Sequence, residues 1–134
     1  MQKFFADTWF FIALLDRADG HHRRASRLAS TIPPRNLVTH DGVLTEMLAT
    51  FAEDGARARQ TAVDAVGRTL RASVVIPADR ELFMAALNRY AARPDKEWSH
   101  VDCMSMVLME HQGIRHVLTN DHHFAQAGFT VVNE

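Results

Sequence analysis

The chain has 134 residues, with fifteen basic against sixteen acidic side chains, a formal net charge of −1 and one cysteine, Cys103. A length of this order suits one core and one domain, residues 1–134, and no Gly/Ser-rich, Pro-rich or low-complexity tract divides it. The lone cysteine excludes an internal disulfide and any multi-cysteine metal site, and the balanced total gives no indication of bulk attraction to nucleic acid, leaving the distribution of charge to matter.

The opening MQKFFADTWFFIALLD reads as a strand, Lys3 to Ala6, then Asp7 and a helix from Thr8 to Arg17. Its longest apolar run, Trp9 to Leu15, is far short of the roughly 20 residues that span a bilayer. Asp7 also interrupts any signal-like pattern, and no small-residue cleavage site follows, so a soluble cytoplasmic chain with no membrane association is expected. A helix from His22 to Thr31 is stopped by Pro33 and Pro34 before a second strand, Asn36 to Thr39. The next helix, Gly42 to Glu53, carries an apolar stripe of Val43, Leu44, Met47, Leu48 and Phe51, with Glu46 off that stripe.

From Arg57 to Arg71 the pattern is again helical, and Arg57, Arg59, Arg68 and Arg71 read as its wet face. Thirteen of the fifteen cations are Arg, whose planar fork suits phosphate. A strand over Ser73 to Pro77 leads to a helix from Arg80 to Ala92 and another from His100 to Gln112. In the latter, Val101, Cys103, Met104, Met106, Val107, Leu108 and Met109 cover most of the circumference, which predicts burial, with Met as core filler rather than a thioether copper site. A strand from His116 to Thr119, a short helical turn after Asp121 and a strand from Phe129 to Val132 close the chain, with Gly113 and Gly128 at reversals. Strands alternating with helices predict an α/β class with a mostly parallel sheet of about five strands.

Taken singly, the acids have modest structural explanations. Asp7 and Asp121 follow strands and precede helical turns, where a carboxylate caps a helix. Ser99 and Asp102 have capping-box spacing, and Glu46 alone passes as a solvated charge. Taken together they say more. Asp7 and Asp121 stand at the carboxyl ends of predicted strands, where open parallel sheets place their ligands, and Asp102 begins the buried helix leading to the second of these strands. Carboxylates about 4 Å apart repel by roughly 4 kcal/mol at a surface-like dielectric, so a gathered set needs a cation. Oxygen ligands without Cys favour Mg²⁺ or Mn²⁺ over zinc.

Four ordered blocks carry a family resemblance that spans nearly the whole chain. FFADTWFFIALLDRADGHHRRA, LVTHDGVLTEMLA, WSHVDCMSMVLMEHQGI and HVLTNDHHFAQAGF together resemble a PIN domain of the VapC-like toxin type. The resemblance implies a three-layer α/β/α fold that binds one or two Mg²⁺ or Mn²⁺ ions and cuts single-stranded RNA. It places Asp7, Glu46, Asp102 and Asp121 in the metal and catalytic positions, with Asp7 and Asp102 as direct ligands, Glu46 positioning or deprotonating water, and Asp121 completing the shell. Thr8, Thr119 and Ser105 become supporting residues. A cognate antitoxin and a homodimer are implied as partners, with Trp9, Phe10 and Phe11 shared between core and interface. Trp9 stands where a smaller polar residue is often found, and His100 where Thr is frequent.

None of the eight histidines forms a His-Glu-x-x-His pattern, and most are expected at the surface. The adjacent pairs His21/His22 and His122/His123 are expected to diverge on a helix, while His22 and His123 are candidates for touching substrate phosphate. Cys103 beside Asp102 is expected to have a raised pKa and to be a poor nucleophile. Two rival functions share the acidic pocket, a receiver-like phosphoacceptor domain and a catalytically silent interaction module. The first would call for a late Lys, whereas Lys occurs only at Lys3 and Lys96.

Overall fold

A computed structural model describes residues 2–132. Its elements run β1 (Phe4–Ala6), α1 (Thr8–Leu15), α2 (His22–Thr31), a 3₁₀ turn (Pro34–Asn36), β2 (Leu37–His40), α3 (Asp41–Thr50), α4 (Ala56–Ala72), β3 (Val74–Ile76), α5 (Arg80–Ala92), α6 (His100–Gln112), β4 (His116–Leu118), α7 (His123–Gln126) and β5 (Thr130–Val131). The strands form one sheet in the order β3-β2-β1-β4-β5, and every pairing is parallel. The expected α/β class is therefore the observed one, with the sheet parallel throughout.

The central strands are apolar because helices cover the sheet. Phe5 and Ala6 on β1, Val117 and Leu118 on β4, and all of β2 are buried. Phe5 is fully enclosed, a burial that contributes about 1.5–3 kcal/mol. Helix α6 is buried continuously from Asp102 to Met109, and Met47, Met104, Met106 and Met109 fill the core as expected. Gly113 ends α6 in the left-handed conformation, φ 70°, which a glycine adopts without a Cβ penalty.

Helix α1 stops at Leu15, two residues before the sequence pattern suggested. Asp16 is extended, and its carboxylate accepts the Ala18 N–H, so a local turn replaces the next helical bond. Helix α3 starts one residue early because the His40 ring accepts the Gly42 N–H and caps it. Arg57, Arg59, Arg68 and Arg71 do lie on the exposed face of α4.

Phe10 and Phe11 are buried in the core, so of the three aromatics expected to be shared with an interface only Trp9 is half-buried, alongside Ile12, Leu14 and Leu15 on the same helix. The exposed large apolar side chains lie elsewhere, with Phe83, Met84, Leu87 and Tyr90 together on α5.

Candidate active site

The strand order reverses at β1. Strands β2 and β3 are added on one side, β4 and β5 on the other, so the carboxyl ends of β1 and β4 flank a topological switch point, the usual ligand crevice of a parallel sheet. An open cleft of about 530 Å³ lies there, lined by Asp7, Thr8, Trp9, Glu46, Glu97, Ser99, Asp102, Asn120, Asp121 and His123.

Asp7 leaves the end of β1 and occupies the N-cap position of α1, but its carboxylate makes no capping bond. It accepts instead from Thr119 Oγ1 at 2.8 Å, across the β1–β4 pair. The Asp7 residue is 7% exposed, and this burial pushes its pKa up to about 7. Hydrogen bonds from Thr119 and the Thr8 backbone oppose that rise, while the charges of Asp102 and Glu46 add to it.

Glu46 projects from α3 and accepts a hydrogen bond from the Thr8 hydroxyl. It is half-buried rather than solvated, and its pKa is raised first by burial and then by the charge of Asp102. Asp102 does two things at once. It completes a capping box with Ser99, each backbone N–H donating to the other's side chain, and it faces the cleft. Asp7, Glu46 and Asp102 thus come from β1, α3 and α6 into mutual repulsion.

Asp121 lines the same cleft but is engaged differently. Its Oδ1 accepts the His123 backbone N–H at 2.9 Å, and its Oδ2 lies 3.0 Å from His123 Nδ1. The same His123 nitrogen stands 3.0 Å from Asp102 Oδ2, so one imidazole bridges Asp102 and Asp121. Thr119 joins the two sides, donating to Asp7 while its oxygen accepts the Asp121 N–H at 3.1 Å.

The donor set fits a hard divalent cation. Its carboxylates are oxygen ligands without thiolate, and a cation would offset the cost of ionising buried Asp7.

Ser105 is not part of this cleft. It is fully buried on α6, where its hydroxyl donates to the Val101 carbonyl at 3.0 Å and accepts from His40 Nε2 at 2.9 Å. With Gly42 N–H donating to Nδ1, both bonds fit the neutral Nε2–H form of His40, whose pKa burial drives down to about 4. The family resemblance put Ser105 beside Asp102, and it does share that side of α6, but three residues carry it about 4.5 Å along the helix axis into the core.

Among the histidines, His22 is also outside the cleft, with Nδ1 2.8 Å from the Ala13 carbonyl oxygen, which removes it as a phosphate contact. Conversely, His122 and His123 do not diverge. Their ring centroids are 4.8 Å apart, and both Nδ1 atoms turn toward the Asp121 carboxylate, at 3.8 Å and 3.0 Å. Cys103 is buried with a raised pKa, chiefly from burial, while Asp102 adds to the rise and Arg89 opposes it.

Sequence reasoning missed the cleft positions of Glu97, Ser99 and Asn120, each beside a predicted acid or its cap. Trp9 forms part of the wall. Its indole N–H is buried without a partner among the described residues, and the Arg24 guanidinium lies 4.8 Å from its ring centroid.

Residues 4–130 match the PIN domain family. The chain belongs to that family. The 23S rRNA-specific endonuclease VapC20 of Mycobacterium tuberculosis is 30% identical over 131 residues, covering 96% of both chains. A crystal structure of VapC20, described as a sarcin-ricin loop cleaving toxin, superposes with a TM-score of 0.88 over 98% of this chain and 100% of the other. The fold is also similar to a toxin–antitoxin complex from Klebsiella pneumoniae, at 16% identity and a TM-score of 0.70 over 99% of this chain and 98% of that one. This PIN domain has no helix among its described residues long and apolar enough to cross a membrane.

Proposed function

We propose that this PIN domain is a divalent-metal-dependent endoribonuclease that cuts single-stranded RNA as the toxin of a toxin–antitoxin pair. The observation carrying the reading is the convergence of Asp7, Glu46 and Asp102, drawn from three separate elements into one open cleft where Asp7 and Glu46 resist ionisation. A fold that only needed helix caps has no reason to load three carboxylates onto one another, since each repulsion costs stability.

Asp7 and Asp102 would hold Mg²⁺ or Mn²⁺, with Asp121 completing the set directly or through water. The ion supplies a Lewis acid that offsets charge developing on the phosphate. Glu46 is the general base. Its carboxylate, raised in pKa and held by the Thr8 hydroxyl, is suited to orient a water and take its proton. Thr119 fixes the Asp7 carboxylate, and His123, tethered to Asp102 and Asp121, is placed to donate a hydrogen bond to a phosphate oxygen.

The relationship to VapC20, named for cleavage of 23S rRNA, supports an RNA substrate and the toxin role. A cognate antitoxin would be the inhibitory partner. A homodimer would cover the apolar α5 face at Phe83, Met84, Leu87 and Tyr90, and the chain would act in the cytoplasm. Inducible expression with sequencing of newly created RNA ends, using Asp7→Asn as control, tests activity and target together. New ends at defined positions only with the wild type would support the reading, and identical ends in both strains would overturn it.

A further inference from the structure

Several ring nitrogens already have partners within the fold. His22 lies against the Ala13 carbonyl, His40 against Ser105, His100 Nε2 against the Phe83 carbonyl, and His116 against Gln2. His122 and His123 instead turn toward Asp121. His122 Nδ1 is 3.8 Å from Asp121 Oδ1, and His123 Nδ1 is 3.0 Å from Asp121 Oδ2. One donor atom from each of the three residues lies within 4.8 Å of the others. Asp102 Oδ2, also 3.0 Å from His123 Nδ1, borders the same point.

This is a different chemistry from the oxygen cluster around Asp7. Imidazole nitrogens favour borderline-soft ions, and two imidazoles with one carboxylate form a set typical of zinc sites that keep a fourth position open. Donor atoms of a tetrahedral zinc site stand about 3.3 Å apart, so His122 must swing inward by roughly an ångström. Its side chain is 74% exposed and has the room to do so.

We propose that Asp121, His122 and His123 form a second cation site, selective for Zn²⁺ or an ion of similar softness, whose occupation withdraws Asp121 and His123 from the acidic cleft and inhibits the enzyme. The inhibitory half rests on the ribonuclease reading, and the binding half does not. Because the ligands are consecutive and one of them faces solvent, the site needs no rearrangement of the sheet.

The test uses the full chain stripped of metal and titrated with zinc chloride against a chromophoric chelator. Wild type, His122→Ala and, as a control on another exposed ring, His111→Ala are compared. One zinc per chain is expected in wild type and His111→Ala, with affinity at least tenfold lower in His122→Ala. In a second arm, zinc should suppress manganese-supported cleavage of unstructured RNA by the wild type at a concentration at least tenfold below that needed for His122→Ala. Without zinc the two should cleave at rates within twofold. Equal zinc affinity in wild type and His122→Ala, or no binding by either, overturns the site. Zinc binding through His122 with unaltered cleavage overturns the withdrawal of Asp121. Should neither protein cut RNA with manganese, the ribonuclease reading fails and inhibition with it, while the chelator titration still decides the site.

Discussion

Replacing Asp7 by Asn should stabilise the metal-free protein in a pH-dependent way while abolishing cleavage. Folding raises the Asp7 carboxyl from its ordinary 3.8 to about 7, mainly through burial, with Asp102 and Glu46 adding to the rise. The native state therefore keeps a proton over an interval in which the unfolded chain has released it. Stability falls as pH climbs through that interval and levels off above about 7. Asn does not titrate, and its amide oxygen can still accept from Thr119. Between pH 5 and pH 7 the advantage of Asp7→Asn should grow by about 2 kcal/mol, the slope flattening as pH nears 7. For a chain of this size that is roughly 7 °C in melting temperature. His40 titrates nearby with the opposite sign. Its pKa is lowered from 6.5 to about 4, so its contribution is full above 6.5 and is lost as pH falls towards 4. That term is common to both proteins and cancels in their difference. Thermal and urea unfolding in chelator at pH 5, 6, 7 and 8 would measure it. A difference between variant and wild type that is constant across this range would refute the assignment of Asp7 as a strained buried carboxyl. Adding Mn²⁺ at pH 8 should stabilise wild type more than Asp7→Asn.

Glu46→Gln should lower RNA cleavage by about 100-fold or more with little change in melting temperature, since Gln can still accept from Thr8; near-normal turnover would remove Glu46 as the base. Ser105→Ala deprives buried His40 of its acceptor and should cost about 1–3 kcal/mol in urea unfolding, with cleavage per folded molecule unchanged. Gly42→Ala brings a Cβ to 2.9 Å from both His40 Cε1 and Met104 Cε, and should destabilise by about 1–3 kcal/mol on the same measurement.

The fold was legible in the sequence because each element has its own signal. Helices α2, α5 and α6 run over the residues that capping and periodicity indicate, and Pro33 and Pro34 separate α2 from β2. Boundaries drift where a side chain competes with the backbone, as at Asp16 and His40. The acids were found by combining strand ends with ordered motif blocks, but spacing alone does not say which way a side chain turns. Asp7 gives up its cap to face Thr119, Asp102 keeps its cap and faces the cleft, and Asp121 is held by His123. Ser105 shows the limit of proximity in sequence, because nearly one turn of α6 separates it from Asp102 and sets it against buried His40 instead of the cleft. The His122/His123 pair shows another, since adjacent rings at a helix start both turn to the preceding Asp121, which backbone rotation alone does not predict.

The central claim is that carboxylates from β1, α3 and α6 gather to hold a divalent ion. A crystal of the wild-type chain soaked in manganese and measured near the manganese absorption edge tests it most directly. An anomalous peak bounded by the carboxylates of Asp7 and Asp102, with Glu46 alongside, is the predicted result. A map without that peak under saturating manganese, with Asp7 still bonded to Thr119 and Asp102 only to its helix cap, would contradict the account.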